Sequence, residues 1–232
     1  MVAAFRGRDG ASRRRLLLLK GLLGASSVLT AAIAARVLYT HSFEATNLVW
    51  NLVLAWVPFV LALVVYDGAR RPWGAGTLAA IGVVWLLFLP NAPYIVTDLK
   101  WLGHYESGTF WFDPPIVAGA ALLGLVLGFV SLYLVQSVVA ARLGQLAGWT
   151  FAWSALVASG VGVYLGRFER WNSWDVVTEP TRVLGQLGSA ALDPLAHARP
   201  LALSVFFAVA WCMGYAIFYS TFRGQLRRLE EH

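Results

Sequence analysis

The chain carries too little charge to coat a water-facing surface. Asp, Glu, Lys and Arg make up 13% of it, against about 25% in soluble domains. Cys212 stands alone, so the chain holds no disulfide framework of its own. Alternation of apolar and polar residues is missing, which favours helices over a barrel of strands. So are the phosphate-loop and dinucleotide fingerprints, a G-x-S-x-G nucleophile elbow and any close-spaced histidine pair. Disorder is excluded by the opposite excess, since 11 Trp, 8 Tyr and 13 Phe are far too many for it.

What remains abundant is apolar sequence. Hydrophobic residues form 59% of the 232, with a mean hydropathy of +0.65. A helix crossing about 30 Å of hydrocarbon needs roughly 20 such residues at a rise of about 1.5 Å each. Six segments meet or approach that length: 16–39, 46–66, 74–90, 115–139, 149–166 and 200–222. The reading is a single all-α domain over 16–222, a polytopic transmembrane helical bundle of about six spans. A basic flank (1–15) precedes it and a short tail (223–232) follows. Asp67–Trp73 is a polar turn stopped by Pro72, and Arg142 with the glycines near Gly144 separates spans four and five.

The basic residues set an expected orientation. Arg6, Arg8, Arg13, Arg14, Arg15, Arg70, Arg71, Arg142, Arg223, Arg227 and Arg228 fall on one side. The smaller set Lys100, Arg167, Arg170, Arg182 and Arg199 falls on the other. The richer side is expected to be cytoplasmic, placing both termini inside a bacterial plasma (inner) membrane. Lys20 and Arg36, near opposite ends of span one, are expected to snorkel to the interfaces. Ser12–Lys20 resembles a twin-arginine export signal; its long apolar core and the five spans after it favour an uncleaved first helix. The net charge of +6 forms no basic stripe with stacking aromatics, so membrane lipids rather than nucleic acid are the expected partners.

The unusual polar residues gather on the outer side. The loop after span one leads into Asn47, Trp50 and Asn51. After span three come Pro90, Asn91, Pro93, Tyr94, Thr97, Asp98, Lys100, His104, Glu106 and Asp113. After span five come Arg167, Glu169, Arg170, Trp171, Asn172, Ser173, Trp174, Asp175 and Glu179. The inner turns are short and nearly featureless, so chemistry is expected outside. Pro90 and Pro93 each remove a backbone donor and disfavour helix just before them. The helix should break there, freeing carbonyls. Either Asn91 and Thr97 satisfy those groups locally, or the break lines a substrate cavity.

Asp98 is expected near the interface; buried deeper it would need a cationic partner, and Arg167 or Arg170 can supply it. These two would share a helix face at spacing i, i+3, with Trp171 beside them. An Asp–Arg clasp between loops and a site for an anionic headgroup both fit. His41, His104 and His197 lie on the same side without metal-ligand spacing, so no metal or cofactor is expected. Residues 180–195 carry Val183, Leu184, Leu187 and Ala191 as an amphipathic stretch suited to lying on the outer leaflet.

The stretches Phe88–Leu99, Trp111–Asp113 and Tyr164–Asp175 resemble the signatures of the bacterial membrane family catalogued as domain of unknown function 1361. The resemblance runs from about Thr46 to the C-terminus and implies a multi-spanning inner-membrane protein with no established activity. It also implies, for many members, a histidine three residues after the motif aspartate; here Trp101 holds that position.

Three functional readings follow. In the first, an outward pocket of Asn47, Asn51, Asn91, Tyr94, Thr97, Arg167, Arg170, Trp171, Asn172, Trp174 and Asp175 binds an anionic, lipid-linked or cell-envelope substrate. Arg167 and Arg170 clamp the anion there, and Asp98 or Asp113 is the candidate catalytic base. In the second, the polar loops clasp each other or a partner as a non-catalytic scaffold. In the third, the Pro90–Pro93 break gates a small transporter or permease, against which the few inward polar groups of spans four and six (Gln136 and Ser137) count.

Overall fold

A computed structural model describes residues 2–43, 45–98, 111–169, 171, 173–193 and 195–230. The helices are α1 (Val2–Thr40), α2 (Thr46–Ala69), α3 (Ala75–Phe88), α4 (Asn91–Tyr94), α5 (Asp113–Leu143), α6 (Gln145–Phe168), α7 (Asp175–Thr178), α8 (Pro180–Leu192) and α9 (Ala198–Glu230). Six segments are long and apolar enough to cross a membrane, and no strand occurs among the described residues. The protein is an all-α polytopic bundle.

Several helices outrun their apolar stretches. α2 continues through Asp67 to Ala69, and α5 continues through Arg142 to Leu143. The chain then reverses on one residue, Gly144, at φ +94°, a backbone region where a Cβ would be strained. The polar residues that seemed to mark loops therefore sit on helix ends, where side chains reach water while the backbone keeps its bonds.

α5 is the most buried span and packs on α1, α2, α4 and α6, while α9 covers α6 and α3 covers α2. Buried polar contacts stitch the layers. The Trp85 indole N–H donates to Ser131 Oγ (2.7 Å), and Ser131 donates to the carbonyl of Pro58 inside α2 (2.9 Å). The Tyr215 hydroxyl of α9 donates to Gln136 of α5. Such bonds across helices contribute about 0.6 kcal/mol each in a bilayer.

The proline-containing segment is interrupted more gently than its sequence predicts. Leu89, Pro90 and Ile95 keep right-handed helical angles, and the span runs from Ala75 to Asp98, ending in a 3-10 turn at 95–98. The displaced hydrogen bonds are recovered in order. Pro93 cannot donate to Leu89 O, and the Ala92 N–H does so at 3.2 Å. That shift orphans Phe88 O, which accepts from the Asn91 amide (3.0 Å). Thr97 Oγ1 donates to Tyr94 O (2.7 Å). Asn91 and Thr97 therefore serve the backbone, as the local alternative required.

This segment is seated on glycine. A Cβ at Gly124 of α5 would lie 2.5 Å from Ala92 O, and one at Gly128 would lie 3.0 Å from the Ala92 Cβ. Two glycines four apart on one face let the backbones close in, as small-xxx-small spacing does elsewhere in membranes.

Candidate functional site

The end of the bundle that holds the 95–98 turn contains a cavity of about 330 Å³. Four elements build it. The first turns of α2 bring Asn47 and Asn51, one helical turn apart; the 3-10 turn brings Asp98 with Tyr94 just before it. α5 brings Asp113 at its first residue, and the last turn of α6 brings Arg167. Six of the residues expected at a pocket thus line one recess. Thr97 lies behind it, and Asn91 sits a turn earlier with its amide donating to Ser173 Oγ (2.8 Å), tying the loop after α6 to the proline segment.

The cavity also has a wall that the sequence misassigned. Arg36 of α1 does not snorkel to water. It lies buried against Asp113, its Nε donating to Oδ1 at 2.6 Å and its Nη2 to Oδ2 at 3.1 Å. A guanidinium near a span end has the length to reach either way, and here the deeply buried carboxylate (2% exposed) outbids the interface because it needs a paired charge. Asp113, expected in a loop, is therefore the foot of α5 and an anchor for α1.

The second ion pair is looser. Arg167 Nη1 reaches Asp98 Oδ1 at 3.3 Å and the Tyr94 hydroxyl at 3.4 Å, while Nη2 donates to Thr97 O at 3.1 Å. Its guanidinium sits 5.7 Å from the Tyr94 ring centre. Asn51 donates to the other Asp98 oxygen at 2.8 Å. Charge-assisted contacts are normally about 2.7–2.9 Å. Arg167 is thus shared among three acceptors at long range, whereas Arg36 grips the Asp113 carboxylate with two nitrogens.

Other expected site residues lie elsewhere. α6 ends at Phe168, and the N–H groups of Glu169 and Trp171 both return to Leu165 O, closing the helix before the shared face with Trp171 can form. Trp171 instead donates to Gln186 of α8. Gln186 donates to Glu169 (2.8 Å), and the Arg182 guanidinium lies 5.2 Å from the Trp171 ring centre. Val183 and Leu187 pack there with Tyr164 and Leu165, so α8 is pinned by one face while Leu184 stays exposed. Trp174 is exposed and Asp175 opens α7; neither lines the cavity. Arg170, Asn172, Glu44, Lys100, Trp101, His104 and Glu106 lie outside the described residues. Among the described residues no three of His, Cys, Asp and Glu stand close enough to hold a metal ion.

The family described as proteins of unknown function (DUF1361) matches residues 50–213, well over half of the chain. The match takes in Asn51, Tyr94, Asp98, Asp113 and Arg167 but begins after Arg36. No curated protein and no solved structure matches the chain.

Proposed function

The chain belongs to this family, DUF1361, and on that footing we propose that its cavity receives the polar headgroup of an anionic, membrane-borne molecule, for binding or for processing. The observation that carries the reading is the contrast between the two ion pairs. Ionised groups at membrane depth are costly to keep, and apolar packing is often at least as stable as a buried pair. Arg36–Asp113 supports the architecture. Arg167–Asp98 is long and divided, so an incoming phosphate or carboxylate can take the Arg167 fork and release Asp98 beside it. In a catalytic version Asp98 is then the base, oriented by Asn51. Asp113, held at both oxygens, is unsuited to that role.

We place this end of the bundle outside the cytoplasm of the plasma (inner) membrane, with both termini inside, because the larger set of arginines lies at the other end. Two exposed positions test it in a Cys212→Ser background. A cysteine introduced at Trp174 should react with an impermeant maleimide in intact cells. One introduced at Leu146, also exposed, should react only after permeabilisation. The reverse pattern overturns the orientation.

Native mass spectrometry of gently extracted protein tests the ligand. Wild type should retain a phosphorus-containing or carboxylate lipid species that Arg167→Gln loses while remaining folded. A scaffold is the second reading, favoured by the fact that Arg36, Arg167, Asp98 and Asp113 are all satisfied within the protein. It expects Arg167→Gln and Asp98→Asn to deplete the folded protein itself, with no ligand lost.

A further inference from the structure

At the opposite end of the bundle lies a second cavity of about 390 Å³. Its walls come from the last turn of α2, the last three turns of α5, Tyr219 of α9 and the first residue of α6. They include Tyr66, Arg70, Tyr133, Gln136, Arg142 and Tyr219. The short inner turns give no hint of it in the sequence, because the lining residues come from four helices far apart along the chain.

The two cavities differ in charge. The first sets two arginines against two aspartates. Among the described residues, the second is lined by Arg70 and Arg142 and by no carboxylate. The nearest acid along α2, Asp67, is engaged by Arg15 at 2.9 Å. Arg70 stacks over the Tyr66 ring, 4.5 Å from its centre, and Arg15 lies 5.3 Å from the same ring, so cationic groups are held at this rim. α6 starts here at Gln145 with no acidic residue in its first turn and no side-chain cap, which leaves the positive end of a long helix facing the same space. Donors complete the lining: the tyrosine hydroxyls and the Gln145 amide. Basic residues at helix ends ordinarily only fix topology. Here they border a hollow with hydrogen-bond donors on its wall, and basic pockets between spans bind phosphate headgroups.

We infer that this second cavity is an anion site that takes a phosphate group, presented either by an anionic lipid of the adjoining leaflet or by a soluble phosphate. The site stands whether or not the cavity at the other end binds a ligand.

The test uses delipidated full-length protein in a neutral detergent. It is titrated with short-chain phosphatidylglycerol, short-chain phosphatidylcholine or inorganic phosphate. The readout is tryptophan fluorescence, since Trp149 packs 4.7 Å from the Tyr219 ring. Phosphatidylglycerol should bind wild type and Arg182→Gln, exposed outside both cavities, alike, and Arg142→Glu about ten-fold or more weakly, as expected for losing a charge-assisted contact. Arg142 is exposed on the turn before Gly144, so the substitution removes no packing; Arg142→Gln, which adds no repulsion, should fall between. Competition by inorganic phosphate identifies a soluble ligand, and its failure to compete identifies the lipid. Equal binding by wild type and Arg142→Glu, or preference for phosphatidylcholine, overturns the site. Loss on Arg167→Gln alone would move the anion to the other cavity and overturn it too.

Discussion

Arg36→Ala is expected to destabilise the bundle by about 3–5 kcal/mol, the cost of leaving a buried charge without its partner. Asp113 is 2% exposed and receives two hydrogen bonds from Arg36, at the point where α1 meets the foot of α5. Removing the guanidinium strands that carboxylate at the end of a span. Unfolding in mixed micelles of increasing sodium dodecyl sulfate would measure the loss. Arg36→Leu combined with Asp113→Leu should recover more than half of it, because apolar residues of similar volume remove the uncompensated charge together with the attraction. A side chain that merely snorkelled to water would behave otherwise: Arg36→Ala would then cost under about 1 kcal/mol, and the double variant would be the worse of the two.

The same residue marks where sequence reasoning reaches its limit. Long apolar runs dictate spanning helices, so the six spans are legible from composition and periodicity, and Gly144 announces its turn. A basic residue near a span end is ambiguous, since its stem lets it face water or a buried acid, and only the fold places Asp113 within reach. Asn51, Asp98 and Arg167 were legible as a group because charged and amide residues at span ends on one side must find each other or water. Trp171 was misplaced for a local reason: the helix closes at Leu165–Glu169, and the chain turns the indole towards α8. The second cavity was invisible, because tyrosines and arginines near span ends read as ordinary interfacial anchors until α2, α5, α6 and α9 come together.

Gly124→Ala is expected to damage the site from a distance. The added methyl would stand 2.5 Å from Ala92 O and 3.0 Å from Ile95 Cδ1. A backbone carbonyl cannot swing aside as a side-chain tip can, so the proline segment must lift from α5. Overpacking of this kind costs about 1–3 kcal/mol. The lift is transmitted along the 3-10 turn to Asp98, whose contact with Arg167 is already 3.3 Å and has no slack before it ceases to be a hydrogen bond. The variant should therefore lose both stability in the detergent titration and the ligand retained by wild type. Gly82→Ala in α3, where nothing lies within 4 Å of the new Cβ, should change neither, which separates crowding from the general effect of substituting glycine in a helix. Retention of ligand by Gly124→Ala at wild-type levels would mean that Asp98 is positioned by α2 and α6 alone, through Asn51 and Arg167, and that the glycine seat is packing without consequence for the cavity.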